Sequence, residues 1–179
     1  SEVDEVLKTL KKLSDDARKK TKEVLDRLRD ISRRVEEESR KVLEEIRRKV
    51  EEVKKRRDDD AVKEVMKDAD RLLKRLEEIH RKVMDELDKL LKRVEEIHRE
   101  TIEELKRLLK DVTDKVSKGS KDKVRKVKED VRRLVEDNKR IVKEAREEVE
   151  RLKERNKDIV RRIKETVDRL KDELRKRAE

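Results

Sequence analysis

The chain contains no cysteine, no proline and no aromatic residue, and a single glycine, Gly119. Without cysteine there is no disulfide, no thiolate metal site and no thiol nucleophile, and the redox compartment is undetermined. Without aromatics there is no platform on which a base could stack. With no proline, nothing in the helix-breaking alphabet interrupts a long helix over most of the 179 residues. No apolar run exceeds two residues, so neither a transmembrane span nor a signal-peptide core is expected.

What is present is charge. Sixty per cent of the residues are charged and 31% are hydrophobic, a balance that raises the question of disorder. The apolar residues answer it, because they are Leu, Val and Ile at helical spacing, the signature of long helices. The net charge of +10 points toward nucleic acid, but its distribution does not. Residues 1–58 carry 20 Lys/Arg against 16 Asp/Glu, residues 59–116 carry 15 against 17, and residues 121–179 carry 23 against 16. The signs are interleaved throughout, so no specific nucleic-acid partner is expected, only weak salt-sensitive attraction. A slightly acidic middle segment suits packing between two basic ones.

Steps of three and four predict three amphipathic helices. The first, over about 2–57, has Val3, Val6, Leu7, Leu10, Leu13, Ala17, Val24, Leu25, Leu28, Ile31, Val35, Val42, Leu43, Ile46, Val50 and Val53 on its stripe, with Ser1 as N-cap. Nothing apolar lies between Val53 and Ala61. Basic Lys54–Arg57 suits a helix C-terminus and Asp58–Asp60 suits the next start, so a tight turn is expected near Asp58. The alternative is one continuous helix, which would leave two turns facing no core. The second helix is expected over about 59–116. Gly119 would cap its end in the left-handed conformation, and Ser120 would cap the third helix, over about 121–178.

Each helix repeats on itself every 18 residues: Leu7, Leu25 and Leu43; Leu72, Leu90 and Leu108; Leu134, Leu152 and Leu170. Leu76-Glu77-Glu78-Ile79-His80-Arg81 recurs as Val94-Glu95-Glu96-Ile97-His98-Arg99. Eighteen residues in five turns is the period of a straight helix, not of a supercoil. The expected fold is therefore all-α: one elongated, nearly straight, antiparallel up-down-up three-helix bundle, a single domain over 1–179. Its helices would be about 80 Å long. Short loops and three apolar stripes closing on one core imply a monomer that needs no partner.

Polar residues interrupt the stripes at the same 18-residue interval. Thr21 and Ser39 do so in the first helix, His80 and His98 in the second, Asn138 and Asn156 in the third. Folding the chain at its two loops brings them to two levels, Ser39–His80–Asn156 and Thr21–His98–Asn138, with Thr101 one turn from the second. An 18-residue separation is roughly 27 Å along a helix. Such layers let buried polar groups satisfy one another, and a slipped register would leave each unmet group costing about 1–3 kcal/mol. Ser14 and Ser32, also 18 apart, lie at the stripe's edge and are expected to bond back to the preceding turn. Met66 and Met84 read as gap-fillers.

A histidine held neutral by burial has its folded pKa depressed, which makes His80 and His98 candidate pH sensors. Between the folded and unfolded pKa values the unfolded chain binds more protons, so stability falls as pH drops through that window. From the unperturbed value of ~6.5 down to pH 5, the loss is capped at about 2 kcal/mol per histidine.

Other site readings lack the partners they need. The two histidines are 18 residues apart, whereas shared metal ligation on a helix needs partners three or four apart; Glu77–His80 and Glu95–His98 have that spacing, but the other helices bring Ser, Thr and Asn to those levels, not further carboxylates. No metal or cofactor is therefore expected. The Ser39–His80 pair has no carboxylate to orient the imidazole and no oxyanion site, so no enzyme activity is expected. An opened helix would be a basic amphipathic surface suited to a lipid interface, giving membrane contact at acidic pH as a conditional expectation.

Taken together, the 18-residue self-similarity, the restricted alphabet and the layers built on Ser39, His80, Asn156, Thr21, His98 and Asn138 resemble designed helical bundles with buried histidine hydrogen-bond networks. The resemblance covers the whole chain. It implies a synthetic, soluble origin, acid-triggered loss of structure and, in some members, membrane disruption with endosomal release as a use. With one histidine per layer, this chain departs from that class. Similar designs without histidine use such networks for packing specificity alone, which implies a static scaffold as the alternative. No cellular compartment is implied.

Overall fold

A computed structural model describes residues 2–56, 58–115 and 121–178, all but Asp58 in helices. Helix α1 spans Glu2–Arg56, α2 spans Asp59–Lys115 and α3 spans Lys121–Ala178. Their ends obey the macrodipole: Glu2, Asp4 and Glu5 occupy the first turn of α1, and Lys54, Lys55 and Arg56 its last. The expected caps at Ser1, Gly119 and Ser120, and the last residue of the second helix at Val116, lie outside the described residues.

The α1–α2 break falls where the apolar stripe lapses. Asp58 is the N-cap of α2: its Oδ1 accepts from the Asp60 N–H at 3.1 Å, and its carbonyl accepts from the Val62 N–H at 3.0 Å. Asp58→Ala removes that side-chain acceptor and should cost about 1 kcal/mol in denaturant unfolding, while Asp58→Asn should cost almost nothing.

By packing, the chain divides into two compact units whose boundaries fall inside the helices: Ser1–Leu28 with Lys89–Val149, and Arg29–Asp88 with Glu150–Glu179. In the first, Val3, Leu10, Leu105, Val112, Val127, Val131 and Val135 form one core cluster. In the second, the buried residues include Val35, Val42, Ile46, Val50, Leu76, Val83, Leu87, Val160 and Val167. Among the described residues no large hydrophobic side chain is exposed. Full burial of each Leu or Val contributes roughly 1.5–3 kcal/mol, and the helices could not realise that singly.

Register is visible in the cross-links. In the first unit Arg146 donates to Glu95 at 3.1 Å. In the second, Lys164 lies 2.5 Å from Glu77, and Lys153 and Lys171 pair with Asp88 and Asp70. In all four α2–α3 pairs the two residue numbers sum to 241, which makes these helices antiparallel within each unit. Glu77 and Glu95 are 18 apart, so the Lys164–Glu77 cross-link of the second unit repeats as Arg146–Glu95 in the first. Between α1 and α3 the difference is constant instead, at 119 for Arg155–Glu36 and Lys54–Glu173, so these two run parallel. Exposed ion pairs of this kind contribute about 0–1 kcal/mol each. They mark the register more than they hold it.

Candidate functional site: a buried histidine network

The buried polar side chains are Ser14, Thr21, Ser32, Ser39, His98, Asn138 and Asn156. They sort into one cluster per unit.

In the first unit His98, at 0% exposure, stands between the other two helices. Its Nε2 is 2.5 Å from Thr21 Oγ1 on α1, and its Nδ1 is 2.6 Å from Asn138 Oδ1 on α3. The direction of every bond follows from one anchor. Asn138 Nδ2 donates to the Leu134 carbonyl at 2.7 Å, and a carbonyl can only accept. That fixes which end of the amide is oxygen. Asn138 Oδ1 therefore accepts, so His98 Nδ1 carries the hydrogen. The neutral ring leaves Nε2 bare, and the Thr21 hydroxyl donates to it. Asn138 Nδ2 also donates to Ser14 Oγ at 3.3 Å. The chain Thr21–His98–Asn138–Ser14 thus has one polarity, with both ring nitrogens satisfied.

Burial is the largest influence on His98 and pushes its pKa down. The bond to Asn138 pushes the other way, because Nδ1–H donates more strongly from an imidazolium, and the Arg18 charge on α1 adds to the lowering. A proton on Nε2 would face a hydroxyl that is already donating, so Thr21 must reverse its bond when His98 is charged. His98 also lines a groove between α2 and α3 with Arg99, Ile102, Lys139, Val142 and Arg146.

The second unit holds the same residue types 18 positions along, except that Ser39 replaces the threonine. Here the network is broken. Asn156 Nδ2 donates to Ser32 Oγ at 3.1 Å. Ser39 Oγ and the Nε2 of half-buried His80 are both buried, and neither has a hydrogen-bond partner. Burial again lowers the histidine's pKa most, helped by the charges of Lys157 and Lys164 on α3.

Three differences from the sequence expectation have physical reasons. Ser14 and Ser32 do not bond back along α1; each meets an asparagine of α3, because in both pairs the α1–α3 offset is 124 residues. Their 18-residue spacing was the signal that could have assigned them to the layers. Thr101 stays outside the network, since its hydroxyl donates to the Ile97 carbonyl one turn back at 2.8 Å. Ser39, His80 and Asn156 do not join in a single hydrogen-bonded layer. Threonine's β-branch restricts its χ1 and can hold Oγ1 toward a neighbour, whereas a serine hydroxyl is free to turn elsewhere.

Among the described residues no group of three or more His, Asp or Glu side chains is arranged to hold a metal ion, and no helix is long and apolar enough to cross a membrane. Ser39 and His80 are not hydrogen-bonded to each other, so they do not form a base–nucleophile pair.

No protein-family model matches the chain, and no curated protein is similar to it. A solved structure described as a "Computationally designed three helix bundle" is similar over 99% of this chain and 90% of its own, with a TM-score of 0.82 and 21% sequence identity. That likeness is one of fold. The fold class is the three-helix bundle, and the histidine-centred hydrogen-bond network is buried within it.

Proposed function

We propose that this chain is a designed scaffold, a single monomeric domain in which buried histidine-centred polar layers set helix register and make stability sensitive to acid. One observation carries the reading: His98 is fully buried and bonded through one nitrogen to α1 and through the other to α3. A slip of either helix would orphan a ring nitrogen, at a cost of about 1–3 kcal/mol. Apolar stripes alone would not penalise such a slip as sharply.

The acid response follows from the same burial. Both histidines have folded pKa values below the ordinary one, so each contributes stability that is fully present above ~6.5 and is lost as pH falls below it. The groups facing them favour this sign: Arg18 beside His98, Lys157 and Lys164 beside His80. Asp68 is held below its usual range by Lys49, and Glu104 by Arg107. A variant lacking both imidazoles isolates the histidines' share. Denaturant unfolding of the parent and of a His80→Asn, His98→Asn double variant separates the effects. Between pH 7.5 and 5 the parent should lose at most about 2 kcal/mol per histidine, and the variant almost nothing. Equal pH dependence in both would remove the sensing role and leave a static scaffold.

Contact with lipid is the conditional extension. Opened helices would expose Leu, Val and Ile beside Lys and Arg. Leakage from anionic vesicles at pH 5 exceeding that at pH 7.4 would support it, and equal leakage would rule it out.

A further inference from the structure

The two units carry matched polar residues, yet their hydrogen bonds do not match: the second has no counterpart to the Thr21–His98 bond, and its Asn156 amide pairs with Ser32 through both ends. Thr21 Oγ1 meets His98 Nε2 directly at 2.5 Å. Eighteen residues along each helix, Ser39 Oγ and His80 Nε2 are both buried and both without a partner. Ser39 is only 1% exposed, so bulk solvent does not serve its hydroxyl. Two orphaned polar atoms in equivalent places are not a random defect. Each would cost about 1–3 kcal/mol if left dry, and native interiors resolve such pairs with bridging water.

The chemistry of the substitution says what fits. Ser39 differs from Thr21 by one methyl group, a volume comparable to that of a water molecule. Losing the methyl also frees the hydroxyl from the rotamer that aims Thr21 at its histidine. A water has two donors and two acceptor lone pairs, so it can meet a serine hydroxyl and either protonation state of an imidazole nitrogen.

We propose that the second unit contains a binding site for one internal water molecule, bridging Ser39 Oγ and His80 Nε2. The site stands whether or not acid opens the bundle. It makes the two layers chemically unequal. A charged His98 forces Thr21 to reverse a bond, whereas a water beside His80 turns to accept the new N–H and needs no protein rearrangement.

The test is an atomic-resolution crystal structure of the full chain and of Ser39→Thr, with nuclear Overhauser contacts to water measured at both histidine rings in solution. In the parent, one ordered water should lie about 2.7–3.2 Å from both atoms. Its contact to the His80 ring should be long-lived, and the His98 ring should show none. In Ser39→Thr the water should be lost and Oγ1 should bond Nε2 directly, as Thr21 does. A parent structure in which Ser39 Oγ bonds a main-chain carbonyl or His80 itself, with no water between, would overturn the proposal. So would a water that persists unchanged in Ser39→Thr. If that variant does not fold, the parent measurements decide alone.

Discussion

Asn138→Ala should lower the unfolding free energy by about 2–4 kcal/mol at pH 7.5, more than any surface change in this chain. The amide accepts from His98 Nδ1 and donates to Ser14 and to the Leu134 carbonyl. Its removal strands the His98 N–H in a fully buried site, which alone costs about 1–3 kcal/mol, and leaves a small void that adds to it. Asn138→Asp is a sharper probe. It keeps the shape and the acceptor but cannot donate to the Leu134 carbonyl, and it places a charge beside His98. His98 should then hold its proton to higher pH, reversing the sign of its contribution: stability from this pair would be lost as pH rises through the new, raised value. A coordinated apolar replacement of Ser14, Thr21, His98 and Asn138 should by contrast be neutral or stabilising, since no group is left unmet. Its cost should appear as loss of a single register, seen as heterogeneous amide spectra or mixed oligomers. Those outcomes would make the network a device for uniqueness more than for stability.

The second large effect combines packing with acid. Leu10 is wholly buried in the core cluster with Leu105, Val112 and Val127. Leu10→Ala should cost about 2–5 kcal/mol at neutral pH. It lies 11 residues from Thr21, roughly 16 Å along α1, so its effect should add to that of histidine protonation. The sum at pH 5 is about 6–9 kcal/mol at most, the order of a whole domain's stability. The parent should remain folded at pH 5 with a shifted denaturant midpoint. Leu10→Ala should sit at the edge of unfolding there and recover above pH 7. Under the proposed acid response, two histidines would modulate the bundle, and a weakened core would convert that modulation into a switch. If Leu10→Ala showed the same stability at pH 7.5 and 5, the histidines would contribute nothing to acid sensitivity.

The helices were legible because their ends are written in single residues. The apolar stripe lapses after Val53 and resumes at Ala61, and the break falls between them. The levels of Thr21, His98 and Asn138 were legible because reversing the chain between consecutive helices fixes which residue numbers face each other. Side-chain reach was not. An asparagine amide has two ends, and whether the far end meets Ser14 depends on a helix offset of a few residues that periodicity does not resolve. Nor does the repeat reveal that Ser39 fails where Thr21 succeeds. Both are small hydroxyl residues in equivalent positions, differing in one methyl group that restricts threonine's χ1, and Asn156 turns to Ser32 where Asn138 meets His98. The 18-residue repeat therefore describes the backbone's frame faithfully and the hydrogen bonds only in part.

The claim on which the rest depends is that His98 is neutral, with its hydrogen on Nδ1, donating to Asn138 and accepting from Thr21. The 15N shifts and ring couplings of His98, assigned against His98→Asn at pH 7.5, read this directly. A protonated Nδ1 with a bare, hydrogen-bonded Nε2 is expected, persisting below the pH at which a free histidine charges. A hydrogen on Nε2, or an imidazolium at pH 7.5, would contradict the network's polarity and the register and acid-response readings drawn from it.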